Sequence, residues 1–284
     1  MTHVRAPTAR QQFGPLPRRR AVGRPVALLS IRTPLPRRTR IVLTALSVAI
    51  PVVAWLVLAA TGSVAPRFLP APASVWDAGL EMARSGQLLT DAQASIQRVL
   101  YGFGLAVAVS VPLGIAMGTF QAAQSLLEPL SGLLRYLPAA AFIPLLLIWL
   151  GIDEPPKVAL IFLGTVFFNL LMTGDVVRQT PIDLINVSYT LGARRHEVVR
   201  KVIVPHALPG IIDAVRVNFA AAWNLVVVAE LVNSEIGLGK RILLAQRFTQ
   251  TDKIFAILAV IAFVGLLTDV LLRIARDRIG RWVP

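Results

Sequence analysis

Six apolar runs are strung along this chain, at residues 41–61, 99–120, 130–151, 158–173, 210–232 and 254–274, with polar connections between them. A helix rises about 1.5 Å per residue, so roughly 20 mostly apolar residues cross a hydrocarbon core. Five of the runs meet that length and 158–173 falls a little short of it. Barrel strands are excluded, because they are about 9–11 residues long and alternate in polarity. The pattern predicts an all-α membrane protein with six transmembrane helices.

The connections are unequal. Residues 62–98 open with Pro66, Pro70 and Pro72, which stop any helix before an amphipathic stretch over 75–99. Residues 233–253 carry Gly237 and Gly239 as turn residues, then a short helical run. The longest polar interruption, 180–209, reads TPIDLINVSYTLGARRHEVVRKVIVPHALP. It is helix-prone, bends at Gly192-Ala193, and places Pro205 and Pro209 where they are expected to reset the chain direction before the fifth span.

Composition agrees with the pattern. The 284 residues are 55% hydrophobic and 15% charged, against about 25% charged in soluble domains. The mean hydropathy is +0.67. The net charge of +14 would suit nucleic acid, but its distribution argues otherwise. Residues 1–40 hold ten Arg, no acid and six Pro, a segment expected to be disordered. Abutting a span, it reads as a cytoplasmic tail in contact with anionic lipid. The first apolar run starts too late and runs too long for a cleaved signal. With the N-terminus inside, 19 cations fall on the cytoplasmic side, in the tail, the 174–209 loop and the C-terminal end, against eight on the other side. That bias predicts both termini in the cytoplasm of a plasma-membrane protein.

Enzyme signatures are missing. No Gly-rich phosphate loop ends in Lys-Ser/Thr, and His3, His196 and His206 are not spaced as a zinc site. With no Cys there is neither a thiolate metal site nor a disulfide frame. No cofactor or metal is expected.

The 180–209 loop resembles the coupling loop of ABC-importer permeases. That pattern has a Glu-Ala-Ala triplet, a Gly four residues on, and an apolar-x-apolar-Pro end ten residues after the Gly. Gly192 and Val202-Ile203-Val204-Pro205 fit the spacing, while Asn186-Val187-Ser188 stands at the triplet without its acid. Asp183 is a possible substitute. The resemblance extends from about Pro66 to Trp282. LPAPASVWDAG, ASIQRVLYGFGLAVAVSVPLGIAMG, LPAAAFIPLLLIWLGI and the ending Gly280-Arg281-Trp282 are similar to permeases of the nitrate, sulfonate and taurine branch.

The resemblance implies the type I importer (MetI-like) permease fold with a cytoplasmic coupling helix. It implies a second permease copy, two ABC ATPase subunits and an extracytoplasmic substrate-binding protein, with ATP hydrolysis on the separate ATPase. The docking residues it implies are Val187, Ser188, Tyr189, Leu191, Gly192, Ala193, Glu197 and Pro205. Leu191 and Tyr189 are the apolar anchors; Arg194, Arg195, His196 and Glu197 form a polar rim. The bland alternative is a helix resting on lipid headgroups.

Candidates for a translocation path lie within the spans. Pro138 and Pro144 are either tolerated kinks or a hinge in a pore-lining helix. A charge at mid-bilayer costs about 2.5–3.5 kcal/mol on insertion scales, which draws attention to Asp213, Arg216, Glu230 and Asp269. Asp213 and Arg216 are spaced to pair, as are Asp269 and Arg273. Glu230 marks either a gate or the water boundary. Asn218 and Asn224 flank Trp223 in mid-span, but about 600° of helix separates them, so they do not share a face. The expected cargo is a small anion such as a sulfonate, taurine or nitrate. The alternatives are a neutral or cationic cargo such as a pyrimidine vitamin precursor, and, in another class, an ATP-independent channel or ion-coupled transporter. The last would place ionisable groups at the midplane and need no docking helix.

Overall fold

The computed structural model describes residues 35–232 and 234–280. Most of the basic tail at 1–40 and the final Trp282 fall outside the described residues. The chain divides into two compact units, 1–57 and 58–284. α1 (Arg37–Ala60), all but its last three residues in the first unit, is a strongly apolar helix with no buried residue. It begins within the predicted tail, four residues before the apolar run.

Every regular element of the second unit is a helix among the described residues. α2 (Pro72–Arg84) starts with Pro72 in the first turn, where its missing N–H costs nothing. The amphipathic stretch 75–99, expected as one element, is divided at Gly86, whose φ of +75° turns the chain. Its second half joins the next span as α3 (Gln87–Thr119). α4 (Gln121–Leu134) follows, then a 3-10 turn (Ala139–Phe142) and α5 (Ile143–Leu150). The remaining helices are α6 (Pro155–Arg178), α7 (Ile182–Thr190), α8 (Arg195–Val198), α9 (Val204–Val232), α10 (Leu238–Arg247) and α11 (Thr251–Ile279).

α3 and α6 pack along a seam of small residues. A Cβ on Gly102 would lie 2.7 Å from the Ile161 Cβ, one on Gly114 2.6 Å from the Thr173 Cβ, and one on Gly118 2.6 Å from the Val177 Cβ. The partners keep the same offset, so the helices run parallel and in register. Ala106 and Ser110 complete a small residue every fourth position on α3, the arrangement that lets membrane helices approach closely.

Parallel α3 and α6 require the chain to return between them. α4 and α5 make that return as a pair bent by 82°. The third apolar run, expected as a single helix over 130–151, is therefore broken. Pro138 lies at the break, with extended ψ of 115°, and Pro144 lies in the first turn of α5. Neither is a kink inside a helix.

α9 lies antiparallel to α6, with Gly210 beside Val176, Asn218 beside Met172 and Leu225 beside Gly164. α11 lies antiparallel to α9, with Gly280 against Pro209 and Arg276 bonded to Asp213. The main core gathers Val99, Phe103, Ile161, Phe219, Trp223, Val226 and Ile257 from these helices. Phe103 and Phe219 meet edge to face at 5.3 Å. The C-terminal end of α11 lies at the same end of the bundle as the start of α9, and the N-termini of α3 and α6 lie at the opposite end.

Candidate functional site

Two polar assemblies occupy opposite ends of the bundle. The first is the loop between α6 and α9. α7 ends in a Schellman motif: the Gly192 N–H donates to the Tyr189 carbonyl and the Ala193 N–H to the Ser188 carbonyl. Gly192 takes φ +83°, a conformation that costs other residues about 1–2 kcal/mol. A Cβ there would meet nothing within 4 Å, so backbone strain, not space, selects glycine.

Beyond the bend, Glu197 accepts the Arg194 N–H at 3.0 Å and pairs with Lys201 at 3.0 Å. The backbone hydrogen bond, then Lys201, hold its carboxyl below the ordinary range. Pro205 and Pro209 do not turn the chain as expected. Helix continues from Arg195 to Val232. Pro205 cannot donate to the Lys201 carbonyl, and a single wider turn over Val199–Ile203, closed by Val204 N–H to the Val199 carbonyl, absorbs the mismatch.

Leu191 is 81% exposed, and Ile182, Val187 and Tyr189 of α7 are exposed as well. The loop is seated by Ile185 and Ala193 on Val177, Val198, Ile203, Ala207 and Ile211. Ser188, Leu191, Gly192, Glu197, Lys201 and Val202 line a shallow depression of about 320 Å³. The predicted docking residues are thus together, except Pro205, which lies in the helix beyond the wide turn.

The predicted path residues are scattered. Pro138 and Pro144 are exposed at the α4–α5 break. Arg216 is half-buried among acids, 3.8 Å from Asp213 and 3.2 Å from Asp269. Asp269 also pairs with Arg273, and Asp213 with Arg276. Asn218 is buried, donating to the Met172 sulfur and the Ala214 carbonyl. Trp223 is buried in the main core. Asn224 is exposed on α9, so the two asparagines do face different ways.

Glu230 is fully buried in the second assembly. Its carboxylate accepts from Ser95 Oγ at 2.7 Å, Arg98 Nη1 at 2.7 Å and the Gly239 N–H at 2.8 Å. The neighbouring N–H groups of Gly237 and Leu238 donate to Asp91 and Ser95. Three successive backbone donors are thereby clamped by three buried side chains. Gly237 has φ +134°, and a Cβ on it would lie 2.5 Å from the Glu230 carboxyl carbon. Arg98 also donates to the Ile236 carbonyl and, through Nε and Nη2, to both oxygens of Glu154. Lys157 Nζ donates to Glu154 at 2.9 Å, and Arg241 pairs with Asp91 at 2.7 Å. Hydrogen bonds from Arg98, aided by Lys157, lower the Glu154 carboxyl to about 2.

Sequence reasoning singled out Glu230 but missed Asp91, Ser95, Arg98, Glu154 and Lys157, whose pairings span up to 150 positions. The available signal was Glu230 seven residues before Gly237-Leu238-Gly239, an acid placed where a backbone loop can fold onto it. Among the described residues no group of three or more His, Cys, Asp or Glu could hold a metal.

Residues 110–283 match the family described as "Binding-protein-dependent transport system inner membrane component". A probable ABC transporter permease protein of Brucella melitensis is 39% identical over 87% of this chain and 99% of its own length. The taurine transport system permease protein of Escherichia coli is 33% identical over 89% of this chain and 94% of its own. Among solved structures, a chain of the MetNI methionine ABC transporter in an inward-facing conformation aligns with a TM-score of 0.58. It is 19% identical, over 71% of this chain and 98% of that one. With the all-helical bundle and the bent loop before α9, these likenesses identify the chain as a member of the family of inner-membrane permease subunits of binding-protein-dependent ABC importers.

Proposed function

We propose that this chain imports a small anion, with a sulfonate such as taurine as the first candidate, and that the bend at Leu191-Gly192-Ala193 is the point at which a separate ATPase grips it. The observation that carries the docking reading is the exposed Leu191 at the tip of a stiff turn whose base packs on both α6 and α9. A force applied to Leu191 is delivered directly to two membrane helices. The cargo class rests on the taurine permease relative.

In the working assembly two copies of the permease face one another, two ATPase subunits dock on the loops, and a binding protein delivers cargo at the opposite end. Both termini lie on the ATPase side, in the cytoplasm, as the cation distribution favours. Asn224, exposed on α9, faces the path or the second copy; Asn218 and Trp223 serve packing.

The test is co-purification of the detergent-solubilised permease with the ATPase, comparing the wild type with Leu191→Asp. Leu191 makes little contact within the subunit, so the variant keeps its fold. Association should fall to background. Equal recovery of the ATPase with both forms would refute the docking reading. Uptake of labelled taurine by the assembled system tests the cargo separately.

A further inference from the structure

One side chain in the buried ion network differs from the rest. Asp91, Arg98, Lys157 and Glu230 are buried, whereas the Glu154 side chain is 56% exposed. It lies on the short link between α5 and α6, directly after Gly151-Ile152-Asp153. Asp91 and Glu230 offset two of the three cations Arg98, Lys157 and Arg241. Glu154 offsets the third. Lys157 Nζ has no other hydrogen-bond partner among the described residues. If Glu154 swung away, an uncompensated buried positive charge would remain, concentrated on Lys157 and on the Nε–Nη2 edge of Arg98. Such a charge is costly to leave unpaired.

That edge would not collapse. Arg98 Nη1 stays fixed by Glu230 and the Ile236 carbonyl, so the guanidinium keeps its direction. A guanidinium edge with an ammonium beside it matches an anion that presents two oxygens on one face. We propose that Arg98 and Lys157 form an oxyanion site at the end of the bundle opposite the docking loop. Glu154 fills it as an internal substitute, which an incoming carboxylate, sulfonate or bicarbonate displaces. The proposal deepens the anion-import reading and rests on it for the side from which the anion arrives.

The chain has no cysteine, so Asp153→Cys gives one thiol beside Glu154. Maleimide labelling of this full-length variant in lipid nanodiscs is measured in methanesulfonate, in bicarbonate and in chloride at equal ionic strength. The oxyanions should speed labelling and chloride should not. Calorimetry on Glu154→Gln should find methanesulfonate bound about tenfold more tightly than by wild type, or ~1.4 kcal/mol, and the added Lys157→Met should cancel that gain. Labelling rates that do not distinguish oxyanion from chloride overturn the site, and the labelling test does not depend on the folding of any Glu154 variant. Uptake of labelled taurine by the assembled wild-type system separates the two readings. Uptake without an oxyanion effect on labelling sinks the site alone, and an oxyanion effect without uptake sinks the cargo reading alone.

Discussion

Replacing Gly114 with Ala adds a single methyl to the α3–α6 seam. That methyl would lie 2.6 Å from the Thr173 Cβ and 2.8 Å from the Leu170 carbonyl oxygen. Favourable carbon contacts lie at about 3.5–4.0 Å, so the helices must part by roughly 1 Å. Neither neighbour can swing aside, because one is backbone and the other a Cβ. Gly102 and Gly118 hold the seam closed on either side, which spreads the strain to both. Overpacking of this kind costs about 1–3 kcal/mol. Against it stands the helix-propensity gain of Ala over Gly, about 0.5–1 kcal/mol. The net expectation is a loss of about 1–2 kcal/mol, read as a lower apparent melting temperature of the isolated permease at a fixed scan rate. Gly104, on the same helix, is exposed and has nothing within 4 Å of its would-be Cβ. Gly104→Ala should therefore leave the melting temperature unchanged or raise it. Equal falls at the two positions would refute the seam argument, because the cost would then belong to α3 in general. A rise for Gly114→Ala would refute it outright.

Glu230→Gln keeps the shape but removes the charge that Ser95, Arg98 and Gly239 bond to; it should cost about 1.5–3 kcal/mol, measured as loss of monodisperse protein on heating. Gly239→Ala would press a methyl to 2.7 Å from the Val227 carbonyl oxygen and should release the 234–239 loop, seen as faster amide exchange at Leu238 and Gly239. Glu154 has a folded pKa of about 2 against an ordinary 4.5, so its stabilising contribution is complete above the ordinary value and disappears as pH falls through the folded one. The melting-temperature gap between wild type and Glu154→Gln should accordingly be flat from neutral pH to about 4.5 and shrink below it; a gap independent of pH down to the folded value would contradict the assignment.

The five long apolar helices and the bend at Gly192 were legible because each depends on nearby residues. Apolar length sets a span, and Gly192 with the residues around it sets a bend. The break at Pro138 was harder. Two prolines in an apolar run suit a kinked helix as well as a bent pair, and nothing in the local sequence decides between them. Pro205 misled for the opposite reason. The local rule ends a helix at proline, yet one wide turn over Val199–Ile203 let the helix run on. The ion network could not be read, because Arg98, Glu154 and Lys157 look like ordinary charges in connections. They become one assembly only when α3, α6 and α9 bring their ends together.

The unbroken helix from Arg195 to Val232 imposes a rule on residue number as well as residue type. Each residue turns a helix by about 100°, so one insertion between Pro205 and Val226 would point Glu230 away from Arg98 while the bend at Gly192 stayed in place. Three or four inserted residues would nearly restore its direction but carry it about 5 Å along the axis, beyond the reach of Ser95 and Gly239. Side chains on the exposed face of α9 are free to change, but the spacing from Gly192 to Glu230 is not.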